Sequence, residues 1–252
     1  MAAMRTIRPH TRKERRNLVE LLTPRIQERF GERLLALATW ASVARSEDGP
    51  YSDLELLAIV TDGPKGGNSI IHDGMLIELE WMTEAGFLAA CREVTDEWYL
   101  AGSSRLAPII NAELIESLNL QAAPGLESKC LDQARRQWFE VQEATAKVLN
   151  AIEAGNRDGL GLVAWDMLRH MLIALSLLNA MPYATFARMI TQARELPTQP
   201  ESLGDLLDLM VEGAFGETRR LRDAAVATFE QLESLYSSRG VPLGIEELDA
   251  LI

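Results

Sequence analysis

Three groups of residues have the types and spacing to do chemistry. Ser42 sits in Ala41-Ser-Val-Ala-Arg45, and ten residues separate it from Asp53, which opens Asp53-Leu-Glu55. Side chains two apart on an extended strand point to one face, so Asp53 and Glu55 stand side by side. Adjacent carboxylates repel unless a cation lies between them, and hard oxygen ligands of this kind suit Mg2+. Glu78 could bring a third carboxylate into the cluster, and Glu80 shares its face. The turn from Ala41 to Arg45 can offer backbone N–H groups, a hydroxyl and a guanidinium to a polyphosphate. Further on, Glu143 and Lys147 stand at i, i+4 in a helical run, with Glu140 about one turn earlier. From spacing alone this is either a base with a neighbouring cation or a surface pair worth about 0.2–0.5 kcal/mol.

These residues need elements to hold them. Leu34–Trp40 reads as a buried strand and Asp53–Val60 as another, joined through the polar turn at Asp48-Gly49-Pro50. Ile77-Glu-Leu-Glu-Trp81 alternates strictly, as a half-buried strand does. Thr11-Arg-Lys-Glu14 fits a capping box and opens a helix with a stripe of Leu18, Leu22 and Ile26. Pro24 is expected to kink that helix or restart it with Thr23 as a new cap, and Gly31 to end it. Gly63–Asn68 reads as a loop, Thr83 as the cap of a helix to about 94, and 105–111 as a short strand. Beyond Pro124-Gly125 the pattern is helical throughout, in segments near 127–154, 160–180, 184–195, 203–213 and 216–238. The expectation is an α+β chain: residues 1–125 forming a mixed β-sheet flanked by helices, and 126–252 a helical bundle.

Composition limits the function classes. The chain has 252 residues, 25 basic and 37 acidic, for a net charge of −12. Residues 1–30 carry +5, so the rest carries −17, which suits a cationic ligand and repels nucleic acid. The basic N-terminal helix lacks interleaved aromatics and reads as a solvated face. No apolar run approaches a membrane span, and the N-terminus has no secretory h-region, so a cytoplasmic protein is expected. Two cysteines and three histidines make no metal-ligand spacing. Trp165, Met167, Met171 and Leu175 read as core, and His170 as a hydrogen-bonded core histidine.

An Asp-x-Glu pair by itself is commonly a solvated strand face. The ordered series is more specific: strand, small-Ser turn, strand with Asp53-x-Glu55, then a strand with Glu78. It resembles the nucleotidyltransferase superfamily related to DNA polymerase β, and more closely the kanamycin nucleotidyltransferase family of aminoglycoside 4′-O-nucleotidyltransferases. Ser42-Val-Ala-Arg45 and Asp48-Gly-Pro-Tyr-Ser-Asp-Leu-Glu55 carry the resemblance, and Ala41 stands where the superfamily usually has glycine. An alanine fits there at negative φ. The resemblance implies a nucleotidyltransferase domain followed by the helical bundle, and Mg2+-dependent transfer from a nucleoside triphosphate such as ATP. The acceptor it implies is the 4′-hydroxyl of aminoglycosides such as kanamycin, tobramycin and amikacin. Asp53 and Glu55 would hold the metal, and Ser42, Arg45 and Ser52 the phosphates. Glu78, with Glu80 and Asp73, would bind substrate ammonium groups. Glu143 would be the general base, with Glu140 its rival, and Lys147 would offset charge at the α-phosphate. The resemblance further implies a homodimer with shared sites. Competing readings are a relative acting on a protein or RNA, and an inactive fold serving as an interaction module.

Overall fold

The structure is a computed structural model that describes residues 7–100, 105–122 and 125–243. Two compact units are present, Met1–Glu93 with Ser103–Pro124, and Val94–Gly102 with Gly125–Ile252.

The first unit is a mixed five-stranded sheet with helices on both faces. Its elements are α1 (Arg12–Phe30), β1 (Leu34–Thr39), α2 (Ala41–Ala44), β2 (Leu54–Val60), β3 (Gly66–His72), β4 (Met75–Thr83), α3 (Glu84–Cys91), β5 (Ala107–Ile110) and α4 (Ala112–Gln121). The strand order is β3-β4-β2-β1-β5, with β2 and β4 parallel and every other pair antiparallel. β2 is apolar at nearly every position because both its faces are covered. Leu54, Leu56, Ala58 and Val60 cluster with Ile26 and Phe30 of α1, whereas Leu57 and Ile59 cluster with Phe87, Ile115 and Leu118 of α3 and α4.

Local chemistry accounts for most boundaries. Thr11 accepts from the Glu14 N–H while the Glu14 carboxylate accepts from the Thr11 N–H, a closed capping box. Gly31, at φ 54°, ends α1. Pro24 does not restart the helix, because Thr23 does not cap it. The Thr23 hydroxyl donates back to the Val19 carbonyl at 2.7 Å, and α1 runs through unbroken. The carbonyl that Pro24 leaves without an N–H belongs to Glu20, an exposed residue, so water can satisfy it.

β3 departs from expectation too, since Gly66–Asn68 is strand rather than loop. It pairs antiparallel with β4 through a tight hairpin in which Asp73 and Gly74 take φ of 50° and 81°, as a two-residue Asp-Gly turn requires. Gly66 is there for space. A Cβ on it would meet the Trp81 ring at 2.4 Å. That ring is itself held by the Arg29 guanidinium, 4.5 Å from its centroid, and by Phe30 at 5.8 Å. Gly66→Ala is therefore expected to destabilise the protein by about 1–3 kcal/mol, the usual cost of overpacking. An unchanged urea midpoint would show that Trp81 moves aside freely.

The second unit is helical: α5 (Glu127–Glu153), α6 (Arg157–Asn179), α7 (Met189–Ala193), α8 (Leu203–Glu212) and α9 (Thr218–Ser238). Residues 94–100 join it, placing Trp98 and Tyr99 in its core. α5 and α6 form an antiparallel hairpin turned by Gly155 at φ 64° and capped by Asn156, whose side chain accepts from the Gly159 N–H. Trp138 packs against Phe229 and Tyr236, each 4.9 Å between centroids. The buried Tyr236 hydroxyl donates to the Ala134 carbonyl at 2.9 Å, as a buried phenol must. α6 is long and apolar enough to cross a membrane by length and composition, but 67% of its apolar window is buried. Trp165 is a correction: it is 41% exposed, whereas Met167, Met171 and Leu175 are buried. Two residues along a helix turn about 200°, so Trp165 and Met167 face opposite ways.

Candidate active site

Asp53 lies immediately before β2, and Glu55 is its second residue. The parallel register sets Glu55 beside Glu78 of β4. One carboxylate oxygen from each of Asp53, Glu55 and Glu78 falls within 4.8 Å of the others, and all three residues are half-buried. Three hard oxygen donors at this spacing are a donor set for a divalent cation, and they fit Mg2+. Their electrostatics agree. Burial, then the neighbouring Asp53 and Glu78, push the Glu55 carboxyl up to about 7. Burial raises the Asp53 carboxyl as well, and Glu78 adds to that rise.

A raised carboxyl has a defined consequence for stability. The unfolded chain releases the Glu55 proton near the ordinary value of 4.5, whereas the folded chain holds it to about 7. The folded state therefore binds more protons across that window, and stability falls as pH rises through it. Without divalent cation, the thermal midpoint is expected to drop between about pH 5 and pH 8, and Mg2+ is expected to recover it at the upper end. A midpoint insensitive to Mg2+ at both pH values would contradict the cation site.

The turn preceding this cluster holds the remaining candidates of the first unit. Ala41 has φ 51°, so the expected negative φ is not observed. A Cβ in the left-handed region costs about 1–2 kcal/mol, which is why glycine is the ordinary residue for such a turn. The Trp40 N–H donates to the Glu55 carbonyl at 3.2 Å, tying the turn to β2. The Ser42 hydroxyl is buried without a hydrogen-bond partner among the described residues. Arg45 donates to Glu47 at 2.9 Å. Ser52 Oγ accepts from the Gly49 N–H at 2.9 Å, so this serine also shapes the loop. Glu80, two residues beyond Glu78, is 3.6 Å from Lys65, and Asp73 pairs with Arg8.

Glu143 and Lys147 lie in the second unit, on the exposed side of α5, 2.8 Å apart. The bond to Glu143 raises the Lys147 ammonium above its usual range. Glu140 is exposed one turn earlier. His170 is close to its expected place. Gln137 Nε2 lies 2.8 Å from its Nδ1 and Arg169 Nη2 2.9 Å from its Nε2, and burial followed by the Arg169 charge lowers its pKa.

Composition and spacing passed over one part of the first unit. Arg15 is 2% exposed and donates from Nε to Asp48 Oδ2 at 3.1 Å, from Nη1 to the His10 carbonyl at 3.1 Å, and from Nη2 to the Gly49 carbonyl. Its sequence signal is an arginine four residues before Val19, on the stripe that otherwise carries Leu18, Leu22 and Ile26.

Comparison with known proteins places this arrangement. Residues 131–242 match the family model described as the KNTase C-terminal domain. Two curated relatives, from Staphylococcus aureus and a Bacillus species, are both named aminoglycoside nucleotidyltransferase (4′). Each is 22% identical over 219 residues, covering 85% of this chain and 87% of the relative. The chain is thus similar to kanamycin nucleotidyltransferases, by family model over its helical part and by sequence over most of its length. A nucleotidyltransferase-like protein from Exiguobacterium sibiricum 255-15 shares the fold. The two superpose with a TM-score of 0.51 at 16% identity, over 88% of this chain and 75% of that one. The kanamycin nucleotidyltransferase match by family model falls in the helical unit, while the carboxylate trio lies in the sheet unit.

Proposed function

We propose that this protein transfers a nucleoside monophosphate from a nucleoside triphosphate such as ATP to the 4′-hydroxyl of an aminoglycoside, releasing pyrophosphate. The observation that carries this reading is the carboxylate trio of Asp53, Glu55 and Glu78, preceded in the chain by the Ala41–Arg45 turn. The names of the two curated relatives support the acceptor class.

Asp53 and Glu55, joined by Glu78, would hold Mg2+, which when bound draws charge from the triphosphate and eases departure of pyrophosphate. Ser42 Oγ, buried and without a hydrogen-bond partner among the described residues, is the hydroxyl with capacity to meet a phosphate oxygen, and Arg45 and Ser52 would add further phosphate contacts. The acceptor hydroxyl oxygen forms a bond to the α-phosphorus as the bond to the pyrophosphate oxygen breaks. Glu143 takes the hydroxyl proton, and Lys147 offsets the charge that develops on the α-phosphate. Positioning and electrostatics supply most of the rate in such transfers, so no covalent nucleophile is needed. Glu80, together with the acidic surface behind the net charge of −12, attracts a polycationic acceptor. We place the reaction in the cytoplasm, in a homodimer with shared sites.

The experiment is pyrophosphate release with ATP and Mg2+ in the presence of kanamycin, tobramycin or amikacin. Release that depends on the aminoglycoside supports the proposal. Release unaffected by any of them, while a protein or RNA acceptor stimulates it, would replace the acceptor class.

A further inference from the structure

The segment that delivers Asp53 has no secondary structure of its own. Residues 45–53 leave α2 and enter β2 as turns and irregular chain, yet Asp53 must sit within about 0.5 Å of its place to ligate a cation. What holds the segment comes from the N-terminal end of the chain. Arg15 reaches Asp48 Oδ2 and the Gly49 carbonyl, and Arg12 reaches Asp48 Oδ1 at 3.1 Å and the Ser46 carbonyl at 2.7 Å. The His10 N–H donates to the Pro50 carbonyl at 2.7 Å, and Arg15 in turn holds the His10 carbonyl. The side chains of Arg15 and Asp48 are 2% and 5% exposed.

A buried ion pair is a poor device for stability alone, since well-packed apolar residues of similar volume do as well or better. At this position on α1 the stripe otherwise carries leucine, valine and isoleucine that pack against the sheet. The three-pronged guanidinium does what an apolar side chain cannot, fixing one carboxylate and two carbonyls at once. Its positive charge also bears on Asp53 itself.

We propose that Arg15 is a positioning residue, which acts through Asp48 and Gly49 to fix the loop that presents Asp53 to the divalent cation. This inference rests on the metal reading of the carboxylate trio, and its test separates the two. Mn2+ binding to the nucleotide-free protein, followed by the electron paramagnetic resonance of free Mn2+, is the readout, with thermal unfolding alongside. Arg15→Ala and Asp48→Asn are expected to weaken Mn2+ binding about tenfold, the lower end of the range for residues that support metal ligands. Arg15→Lys, which keeps the charge without the fork, is expected to recover part of that loss. Arg25→Ala removes a charge from the exposed side of the same helix and is expected to leave Mn2+ affinity unchanged. If Arg15→Ala does not fold, the nearly isosteric Asp48→Asn decides alone.

Folded Arg15→Ala or Asp48→Asn protein that binds Mn2+ as wild type does, while Asp53→Asn fails to, would overturn the proposal and leave the metal site standing. An equal loss in Arg25→Ala would overturn it as well, by showing a diffuse charge effect. Wild-type protein that binds no Mn2+ would overturn the metal reading and this inference together.

Discussion

Asp53→Asn is expected to lower nucleotidyl transfer on the order of 10³-fold while the protein stays folded and becomes no less stable. The two halves of that result share a cause. Burial already raises the Asp53 carboxyl, and with Glu78 nearby the folded protein confines charges that repel one another. Replacing one of them with a neutral amide of the same shape relieves the repulsion, so the thermal midpoint should hold or rise in the absence of metal. The same change removes an anionic ligand from the donor set, and the triphosphate loses its anchor. Stability and activity then move in opposite directions, as they do where a site is built from mutually repelling groups. Near-wild-type turnover at millimolar Mg2+ would remove Asp53 from the metal site. A large fall in thermal midpoint would show that the residue is structural.

The second large effect concerns the base. Glu143→Gln is expected to reduce turnover about 10²–10⁴-fold with little change in antibiotic binding. A larger defect in Glu140→Gln would move the base one helical turn toward the N-terminus. The assembly adds a sharper form of this test. Asp53 and Glu143 belong to separate compact units of the chain, and in the homodimer we propose, each site draws carboxylates from one subunit and the base from the other. Mixing Asp53→Asn with Glu143→Gln under subunit exchange then gives heterodimers with one site carrying both defects and one carrying neither. With random exchange about half of all dimers are mixed, and roughly a quarter of wild-type activity returns. Proven heterodimers with no recovered activity would show that each site is built within one chain.

The parts of the fold that follow from local chemistry could be read from residues alone. The Thr11–Glu14 box, the glycine stop at Gly31, the apolar run of β2 and the alternation through Trp81 each carry their own signal, and each forms as expected. The long helices beyond 125 have a periodic apolar face and were equally plain. What stayed hidden depends on partners distant in sequence. Gly66-Gly67-Asn68-Ser69 has the composition of a loop, and it becomes a strand because β4 pairs with it and the Trp81 ring packs on Gly66. α4 is different, since its signal is local and was passed over: Asn111 is a preferred N-cap, and Leu114, Ile115 and Leu118 follow at helical spacing. At the site, the carboxylate trio could be foreseen from spacing and strand parity. The Arg15–Asp48 clamp could not, because an arginine among eight basic residues in the first thirty looks like solvated charge until its burial is seen.

The most direct test of the central claim is the mass of the antibiotic after reaction. Kanamycin incubated with ATP, Mg2+ and the protein is expected to gain one adenosine monophosphate, with pyrophosphate appearing in equal amount. The 4′-deoxy analogue should stay unmodified, and Asp53→Asn protein should leave kanamycin unmodified too. Kanamycin recovered unchanged from the wild-type reaction, under conditions where the protein binds Mg2+ and ATP, would contradict the account.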